Sequence, residues 1–567
     1  MPQATARAFL SPTLVLLAFD WPDGGARPDF LGFALRRSPG YGNEAESWLP
    51  NRVGFDGPAP NGGDLPSNEN PIQKFLWWDA RIDDEHRGKS FKYTVTPVVG
   101  KPGALQLRDA DAGSVQVTIP QPVDTQRGIG TYFNRAVVSS QAFVREFGGD
   151  LDDAKMHKAL EWLANGLHLV IPEFLKASDR VEGAIYHLTD GEWVIPALRT
   201  YGGKASVVYN ETSKDDSNAD TVSEFGQFEF TARTKAKIMH NKFLVRVRDD
   251  KAVAVLAGSA NFTTDGIATQ ANVLHTFESP ELAELYRERK NLLAEDLTIS
   301  KTAAAGAGWS KPVDVGGAAI RVFFSPESKG KRESIDTIVD AVEAATSSVI
   351  FCLFMPTDKP LRDAVFKAGD EGKMMFGLIN SISKTEPDTE PKDASALTRV
   401  EIYHRSKDQK DVYAHWAFPQ EAAPEGFWFE PSLLPGRGSA HPVYIHHKFV
   451  IIDAETDHPI VYTGSANMSK SSVANNDENL LEIKGNPQLA RTYLAEFMRL
   501  YGHYRARALW NLAHGGQAKR GRKKRSKSAD SRVADAFTLK RSRDAWAKGA
   551  YTPGTPDFRA RTQLAGG

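Results

Sequence analysis

Short apolar runs separated by polar turns dominate the middle of the chain. The run at 243–247 is followed after a polar turn by 253–257, and the run at 449–452 is followed by 459–462. Runs of this length that are rich in β-branched residues and bounded by turn residues predict β-strands. The pattern therefore predicts two strand-turn-strand units, far apart in sequence.

The first 121 residues show a different pattern, in which short strands alternate with turns rich in Gly and Pro. Strands are predicted near 9–20, 30–36, 74–79, 93–99 and 115–119. Such a series of short strands predicts an all-β sandwich. The apolar stretch at 9–20 is too short to span a membrane and lacks a convincing cleavage site, so we interpret it as a strand and not as a signal peptide.

One set of polar residues occurs twice, once beside each predicted hairpin. The first copy is His240-Asn241-Lys242 with Gly258-Ser259-Ala260-Asn261, and the second is His446-His447-Lys448 with Gly464-Ser465-Ala466-Asn467. The step from His to Gly is the same in both copies, from 240 to 258 and from 446 to 464. A single histidine on a strand is usually a buried structural residue. Two copies with matched Lys, Ser and Asn indicate a shared function instead.

The residue types in each copy suit the binding of a phosphoryl group. His and Lys two positions apart lie on the same face of a strand. Gly frees the backbone at the end of the second strand, and Ser and Asn offer a hydroxyl and an amide to a bound anion. Pseudo-twofold pairing of the two copies would surround a tetrahedral phosphoryl group, so each copy supplies half of one candidate active site.

These residues resemble the signature of the phospholipase D superfamily, His-x-Lys-x4-Asp followed by Gly-Ser-x-Asn. The second copy is complete, with Asp453 as the structural residue of the motif. The first copy has Val247 at the Asp position, and Gln270-Ala271-Asn272 stands where the second copy has Asn476-Asp477-Glu478-Asn479. The resemblance implies an α/β fold class, with two pseudo-twofold phospholipase D-like α/β/α sandwich halves preceded by an all-β sandwich domain.

The resemblance covers about residues 125–508 and divides the chain into five expected segments. They are a fibronectin type III-like β-sandwich at 1–121, half 1 at 122–300, a linker at 301–318, half 2 at 319–508 and a basic, disordered tail at 509–567. The fibronectin type III resemblance is the weaker of the two and depends on Trp21 and on a late strand at 91–96. The linker is expected to be flexible because 301–308 is rich in Ala and Gly.

The superfamily resemblance implies a metal-independent phosphodiesterase that acts through a phosphohistidine intermediate and needs no cofactor. An unperturbed imidazole has a pKa of about 6.5, so one His can attack phosphorus while the other stays protonated as an acid. The family pattern favours His240 as the nucleophile, oriented by Glu478, and His446 as the acid, with Gln270 as its candidate orienter. The reverse assignment stays open, because Glu478 could contact His446 instead.

The resemblance assigns roles residue by residue. The expected catalytic residues are His240, Lys242, Asn261, His446, Lys448, Asn467 and Glu478. The expected contacts to the substrate phosphate are Ser259, Ser465 and Gln270, and no metal site is expected. The lysines and amides would neutralise charge on the non-bridging oxygens. Since both copies lie in one chain, no dimer is needed to complete the site.

Composition changes the picture in two respects. The 567-residue chain contains one cysteine, Cys352, which excludes a disulfide framework and predicts a reducing, cytoplasmic setting. The formal net charge is -1, yet nearly every residue at 519–527 is cationic. Such blocks bind polyanions by releasing counterions, so this segment predicts a nucleic-acid partner, with an anionic phospholipid membrane as the alternative.

Two substrate classes follow from these features. A nuclease is favoured by the basic segment and by the residues at 258–263, which resemble those of nuclease members of the superfamily. A phospholipase D that hydrolyses or transfers phosphatidyl groups would need apolar walls, which the aromatic-rich insertion at 385–442 could supply. A non-enzymatic scaffold would require idle histidines, which substitution of His240 or His446 would test.

Overall fold

The protein was studied as a computed structural model, which describes most of the chain. The described residues are 3–59, 63–136, 146–147, 153–212, 215–306, 308–380, 400–406, 409–414, 444–514 and 538–566. They form a mixed α/β structure in which an all-β module precedes two α/β halves. No helix within these ranges is both long and apolar enough to cross a membrane.

The all-β module consists of two larger antiparallel sheets that share one core and two further two-stranded sheets. Its strands are β1 Thr5–Ser11, β2 Leu14–Asp20, β3 Phe30–Ser38, β4 Ser47–Trp48, β5 Pro50–Asn51, β6 Val53–Gly54, β7 Gly57–Pro58, β8 Leu65–Pro66, β9 Leu76–Asp79, β10 Ser90–Lys101, β11 Ala104–Leu107 and β12 Gly113–Thr118. One sheet has the order β1-β2-β9, and the other has the order β11-β10-β3-β4 with β12 on β10. This arrangement is compatible with the fibronectin type III resemblance, which stays a prediction.

Strand β2 joins the module to the rest of the molecule. Its alternate residues face opposite sides, as the period of a strand requires. Val15 and Leu17 pack into the core of the β-module, whereas Leu14 and Leu16 pack into the large core shared by both halves. The uniformly apolar sequence of this stretch is thus explained by burial on both faces, and the predicted strand is confirmed.

Half 1 is built on an eight-stranded sheet with the order β13-β14-β21-β20-β19-β15-β16-β17. The strands of this region are β13 Val123–Asp124, β14 Ile129–Phe133, β15 Arg180–Ile185, β16 Lys204–Asn210, β17 Glu229–Arg233, β18 Ile238–Met239, β19 Lys242–Arg248, β20 Lys251–Gly258 and β21 Val273–Phe277. Its helices are α1 Asp153–Ala164, α2 Leu167–Lys176, α3 Val194–Thr200, α4 Ala219–Glu224 and α5 Pro280–Ala294, and α6 Ile299–Ala304 follows.

Half 2 repeats this topology in a larger sheet with the order β22-β23-β30-β29-β28-β24-β25-β26-β27. Its strands are β22 Val313–Val315, β23 Ala318–Ser325, β24 Ser348–Leu353, β25 Met374–Asn380, β26 Val400–Ser406, β27 Gln409–Ala414, β28 Lys448–Ile452, β29 Ile460–Gly464 and β30 Asn476–Lys484. Its helices are α7 Glu333–Glu343, α8 Lys359–Asp370, α9 Lys470–Ala474 and α10 Pro487–His514. Both predicted hairpins are confirmed, as β19-β20 and β28-β29.

The two halves meet directly through backbone and buried charge. Strand β18 of half 1 pairs in parallel with β30 of half 2, and Ala271 forms a parallel bridge with Ile445. The guanidinium of Arg233 donates to the carboxylate of Asp477 at 2.8 Å, and both side chains are fully buried. A buried ion pair of this kind is expensive to break, because removal of one partner leaves an unpaired charge inside the protein.

The expected linker is ordered where the structure describes it. Helix α6 and strand β22 lie within or across 301–318, and the guanidinium of Arg233 donates to the hydroxyl of Thr302 at 3.0 Å. The expectation of a flexible linker was therefore wrong for these residues. Alanine is a strong helix former, and its abundance here supports α6.

The expected tail is also ordered in part. Helix α10 continues to His514, and the segment 538–566 contains α11 Arg543–Ala547 and α12 Pro556–Ala565. Its contacts with the β-module include the hydroxyl of Tyr551, which donates to the carbonyl of Trp21 at 2.7 Å, and a buried ion pair between Arg561 and Asp20. Disorder was therefore a wrong prediction for 538–566. The basic run at 519–527 and much of the aromatic insertion lie outside the described residues.

Candidate active site

Each motif occupies one edge of a hairpin. His240 and His446 lie two residues before the first residues of strands β19 and β28. Gly258 and Gly464 are the last residues of the return strands β20 and β29. A Cβ atom at Gly258 would lie 2.2 Å from the carbonyl oxygen of Val273, and one at Gly464 would lie 2.5 Å from that of Asn479. Both motif glycines are therefore required by close approach of the next strand.

The histidines are held by the opposite half in each case. The backbone N–H of His240 donates to the carbonyl of Asp477 at 2.9 Å, and that of His446 donates to the carbonyl of Ala271 at 3.1 Å. Both imidazoles are buried. The pseudo-twofold pairing thus fixes both rings in one site, as the duplicated sequence predicted.

Nδ1 of His240 lies 3.0 Å from Oε2 of Glu478, and both side chains are buried. Burial opposes ionisation of Glu478, but His240 and the hydrogen bonds from His240 and Asn476 outweigh it and lower the pKa of the carboxyl group. Burial, reinforced by the Lys242 ammonium, lowers the pKa of His240 to about 4 against the opposing effect of Glu478. At neutral pH the pair is therefore a carboxylate beside a neutral imidazole.

A different residue from the expected one orients His446. Its Nδ1 lies 2.9 Å from Oδ1 of Asn272, whereas Oε1 of Gln270 has no hydrogen-bond partner among the described residues. The assignment of Gln270 as orienter was therefore wrong. Asn272 follows Gly258 at the same distance in sequence as Glu478 follows Gly464, and counting from the glycines would have identified it.

Several bonds fix the side chain of Asn272. Its Nδ2 donates to the carbonyl of Gly266 at 2.8 Å, so its Oδ1 faces the imidazole and accepts from Nδ1–H. The hydroxyl of Ser259 also donates to this oxygen at 2.8 Å, and Asn134 accepts from the backbone N–H of Asn272 at 2.9 Å. Asn134 lies before half 1's first helix and was not found from the sequence, because it belongs to neither motif copy.

The pKa of His446 lies well below its ordinary value. Burial is the main cause, and the Lys448 and Lys242 ammonium groups act in the same direction. Nε2 of His446 has no hydrogen-bond partner in the described part of the chain. A neutral amide beside Nδ1 cannot offset these effects as a carboxylate would. The two histidines therefore differ in charge environment, although their backbone positions are equivalent.

The two motif lysines occupy equivalent positions. Nζ of Lys242 donates to the carbonyl of His240 at 2.6 Å, and Nζ of Lys448 donates to that of His446 at 2.7 Å. Each ammonium also lies over an aromatic ring, at 4.9 Å from the centroid of Tyr186 and 5.0 Å from that of Phe354. Two buried lysine cations outnumber the one buried Glu478 carboxylate, so the site has a net positive charge that favours an anion.

The hydroxyls of the motif serines bond to the neighbouring strand. Ser259 accepts from the backbone N–H of Val273 at 3.1 Å, and Ser465 accepts from that of Asn479 at 3.0 Å. Both side chains are fully buried. These bonds tie the turn after each glycine to the neighbouring strand, and contacts of Ser259 and Ser465 with a substrate phosphate stay predictions.

The motif asparagines have unused acceptors. Oδ1 of Asn261 and Oδ1 of Asn467 find no partner among the described residues, and both atoms are buried. Buried polar atoms without partners are rare in folded proteins and often mark functional sites. Phosphate contacts by Asn261, Asn467 and Gln270 stay predictions.

Asp453 lies away from the histidines, in the turn after β28. Its carboxylate accepts from the backbone N–H groups of Ser347 at 2.7 Å and Ser348 at 2.9 Å and from the hydroxyl of Thr346 at 2.7 Å. Asp453 therefore fixes the start of β24 to the end of β28. Val247 of half 1 packs into the shared core instead.

Over the described ranges, no group of three or more His, Cys, Asp or Glu side chains could hold a metal ion. Cys352 is free and buried, and burial raises the pKa of its thiol.

Comparison with known proteins connects this site to a family. Residues 338–501 match the family model described as Cardiolipin synthase, PLD-like domain. The mitochondrial cardiolipin hydrolase of Homo sapiens is 35% identical over 68 residues, which cover 12% of this chain and 25% of that protein. The chain thus spans about a quarter of the length of this curated relative.

Two solved structures are similar in part. The alignment with phosphatidylserine synthase from Haemophilus influenzae Rd KW20 covers 60% of this chain and 85% of that chain, with 14% identity and a TM-score of 0.41. The alignment with Nuc from Salmonella typhimurium, a phospholipase D family member, covers 33% of this chain and 95% of that chain, with 18% identity and a TM-score of 0.21.

The family match includes the complete second motif, from His446 to Glu478. The first motif completes the same site from the other half through the contacts of Glu478 and Asn272. The chain therefore carries, over residues 338–501, a domain that matches the PLD-like family model.

Proposed function

We propose that the protein is a phosphodiesterase that works by double displacement through a phosphohistidine. The observation that carries the proposal is the asymmetric support of two buried imidazoles, a carboxylate on His240 and a neutral amide on His446. Double displacement divides one difficult reaction into two easier steps and needs a nucleophile and an acid that differ in protonation.

His240 is the proposed nucleophile. The carboxylate of Glu478 accepts from Nδ1–H, which leaves the lone pair of Nε2 available for attack. A bond forms between Nε2 and phosphorus as the bond from phosphorus to the leaving oxygen breaks. The ring becomes cationic in this step, and the buried carboxylate beside it stabilises the charge.

His446 is the proposed acid and base. Its Nε2–H donates a proton to the leaving oxygen, and the neutral ring then accepts a proton from the water that attacks phosphorus and releases His240. In the free protein the two lysines oppose protonation of His446. A bound phosphodiester anion offsets the lysine charges, so substrate binding favours protonation of His446, and protonation of His446 favours substrate binding.

The proposed substrate is a nucleic acid. The cationic run at 519–527 supports this class, since a polyanion would release counterions on binding it. A phospholipid is the second candidate and is favoured by the family match over 338–501, described as Cardiolipin synthase, PLD-like domain. Cytoplasmic residence, expected from the single cysteine, is likewise proposed.

A substrate panel tests the proposal. Purified protein in EDTA is incubated with plasmid, single-stranded DNA and RNA, and separately with vesicles of phosphatidylcholine, phosphatidylglycerol and cardiolipin. His446→Ala serves as the inactive variant, and His458→Ala, an exposed histidine in the distant turn between β28 and β29, serves as the matched control. We expect cleavage of nucleic acid that is lost only in His446→Ala. Release from lipid alone would replace the nuclease by a phospholipase, and no turnover of any substrate would refute the proposed activity.

A further inference from the structure

Each oxygen of the Glu478 carboxylate has a hydrogen-bond partner. Oε2 lies 3.0 Å from Nδ1 of His240, and Oε1 accepts a hydrogen bond from Nδ2 of Asn476 at 2.9 Å. Asn476 and Glu478 are two apart on β30, so their side chains extend from the same face of the strand. The amide thus lies on the side of the carboxylate away from the imidazole.

Asn476 is itself rigidly held. Its backbone pairs with Ile238 of β18, and its carbonyl accepts from the hydroxyl of Ser325 at 2.9 Å. The same hydroxyl accepts from the backbone N–H of Glu478 at 3.2 Å. The side chain of Asn476 is buried, and its Oδ1 has no partner within the described residues. A buried acceptor without a partner destabilises the fold, which points to a role other than stability.

The other half lacks this support. The equivalent position, two residues before Asn272, is Gln270, and no hydrogen bond joins the side chains of Gln270 and Asn272 among the described contacts. Asn272 is instead held by Gly266 and Ser259. Of the two residues that orient the histidines, Glu478 therefore accepts a hydrogen bond from the side-chain amide two positions before it, and Asn272 does not.

We propose that Asn476 is a positioning residue that holds the carboxylate of Glu478 on Nδ1 of His240. The inference rests on the proposed phosphohistidine mechanism. An N–H donor to one oxygen favours the charged form of a buried carboxyl group and restricts its rotation. Nε2 of His240 then keeps its lone pair toward the substrate, and the cationic ring of the intermediate keeps its counter-charge.

Two substitutions separate positioning from mere space filling. Asn476→Leu keeps a similar shape but removes the donor, and Asn476→Ala removes both the shape and the donor. Loss of such a supporting hydrogen bond typically lowers activity about 10–100-fold. We expect a loss in kcat of that size for both variants with KM little changed. The acid limb of the pH profile, set by the pKa of His240, should move to lower pH, because the imidazolium loses part of the support of the carboxylate. Asn475→Ala, an exposed neighbour in the turn between α9 and β30, should match the wild type.

A wild-type kcat and pH profile in Asn476→Leu would overturn the inference. If Asn476→Ala does not fold, Asn476→Leu alone decides the question. A second readout is independent of turnover: in protein labelled with ¹⁵N-histidine, the Nδ1–H signal of His240 should be shifted downfield and lose that shift in Asn476→Leu. If the wild type cleaves no phosphodiester, the proposed function fails, whereas this NMR comparison still tests Asn476. An unchanged Nδ1–H signal in Asn476→Leu would contradict the inference.

Discussion

Glu478 and Asn272 are pseudo-symmetric partners that differ in charge. Each lies at the same separation from the glycine of its own motif, from 464 to 478 and from 258 to 272, and each contacts Nδ1 of the histidine of the other half. A carboxylate stabilises an adjacent imidazolium, and an amide does so much less. The molecule therefore contains two imidazoles in similar frames with different electrostatic support.

This difference predicts the pH dependence of kcat/KM. Burial and the lysines hold the pKa of His446 well below its ordinary value, so the protonated acid is scarce in the free enzyme at neutral pH. The protonated fraction of His446, and with it kcat/KM, should rise about tenfold per pH unit as pH falls from about 8 to about 6. Activity should fall again near the pKa of His240, which is lowered to about 4, because protonation removes the nucleophile.

Steady-state kinetics in EDTA over this range, with a single-phosphodiester substrate, measures the profile. An alkaline optimum, or a flat profile between neutral and alkaline pH, would show that His446 does not donate the proton.

Asn272→Asp should move the alkaline limb to higher pH. A carboxylate next to Nδ1 favours the imidazolium and raises the pKa of His446 by about one to three units. The substitution also loses the bond from Nδ2 to Gly266, so we expect a stability loss of about 1–3 kcal/mol. Kinetics as a function of pH and urea denaturation measure the two effects. An alkaline limb that stays in place would exclude contact between residue 272 and the acid.

Asp453→Asn should affect stability more than catalysis. The carboxylate accepts from Ser347, Ser348 and Thr346, and weakening of charged hydrogen bonds of this kind costs about 1–3 kcal/mol. Urea denaturation measures the cost, and kcat should stay near the wild-type value. Asp457→Asn is the matched control, because its exposed ion pair with Arg491 contributes at most about 1 kcal/mol. A lower kcat with unchanged stability would place Asp453 in the chemistry instead.

The sequence allowed the core of the site to be predicted, because the duplicated motif combines local strand signals with fixed spacing. Both hairpins lie where the β-branched runs predicted them. The structure places Glu478 beside His240, the pairing that the family pattern favoured. Asn272 was misassigned because Asn479 was taken as its counterpart, although Val273 occupies that position.

Other features depend on contacts distant in sequence. The segment 538–566 carries little hydrophobic periodicity, and its position follows from burial of Trp546 on Phe75 and from the ion pair of Arg561 with Asp20. Ser259 and Ser465 suit an anion by residue type, but their hydroxyls are engaged by the next strand. Tertiary contacts of this kind leave no local signal in the sequence.

The central claim is that His240 forms the covalent bond to phosphorus. Trapping in His446→Ala tests it most directly, with bis(p-nitrophenyl) phosphate as substrate. Its leaving group needs no proton, so the first step proceeds, whereas hydrolysis of the intermediate is slowed about 10²–10⁴-fold without the base. Mass spectrometry at alkaline pH should find the nitrophenyl phosphoryl group on the peptide that contains His240, and none in His240→Ala. Absence of label on His240 in His446→Ala, together with label on the peptide that contains His446 in His240→Ala, would contradict the account.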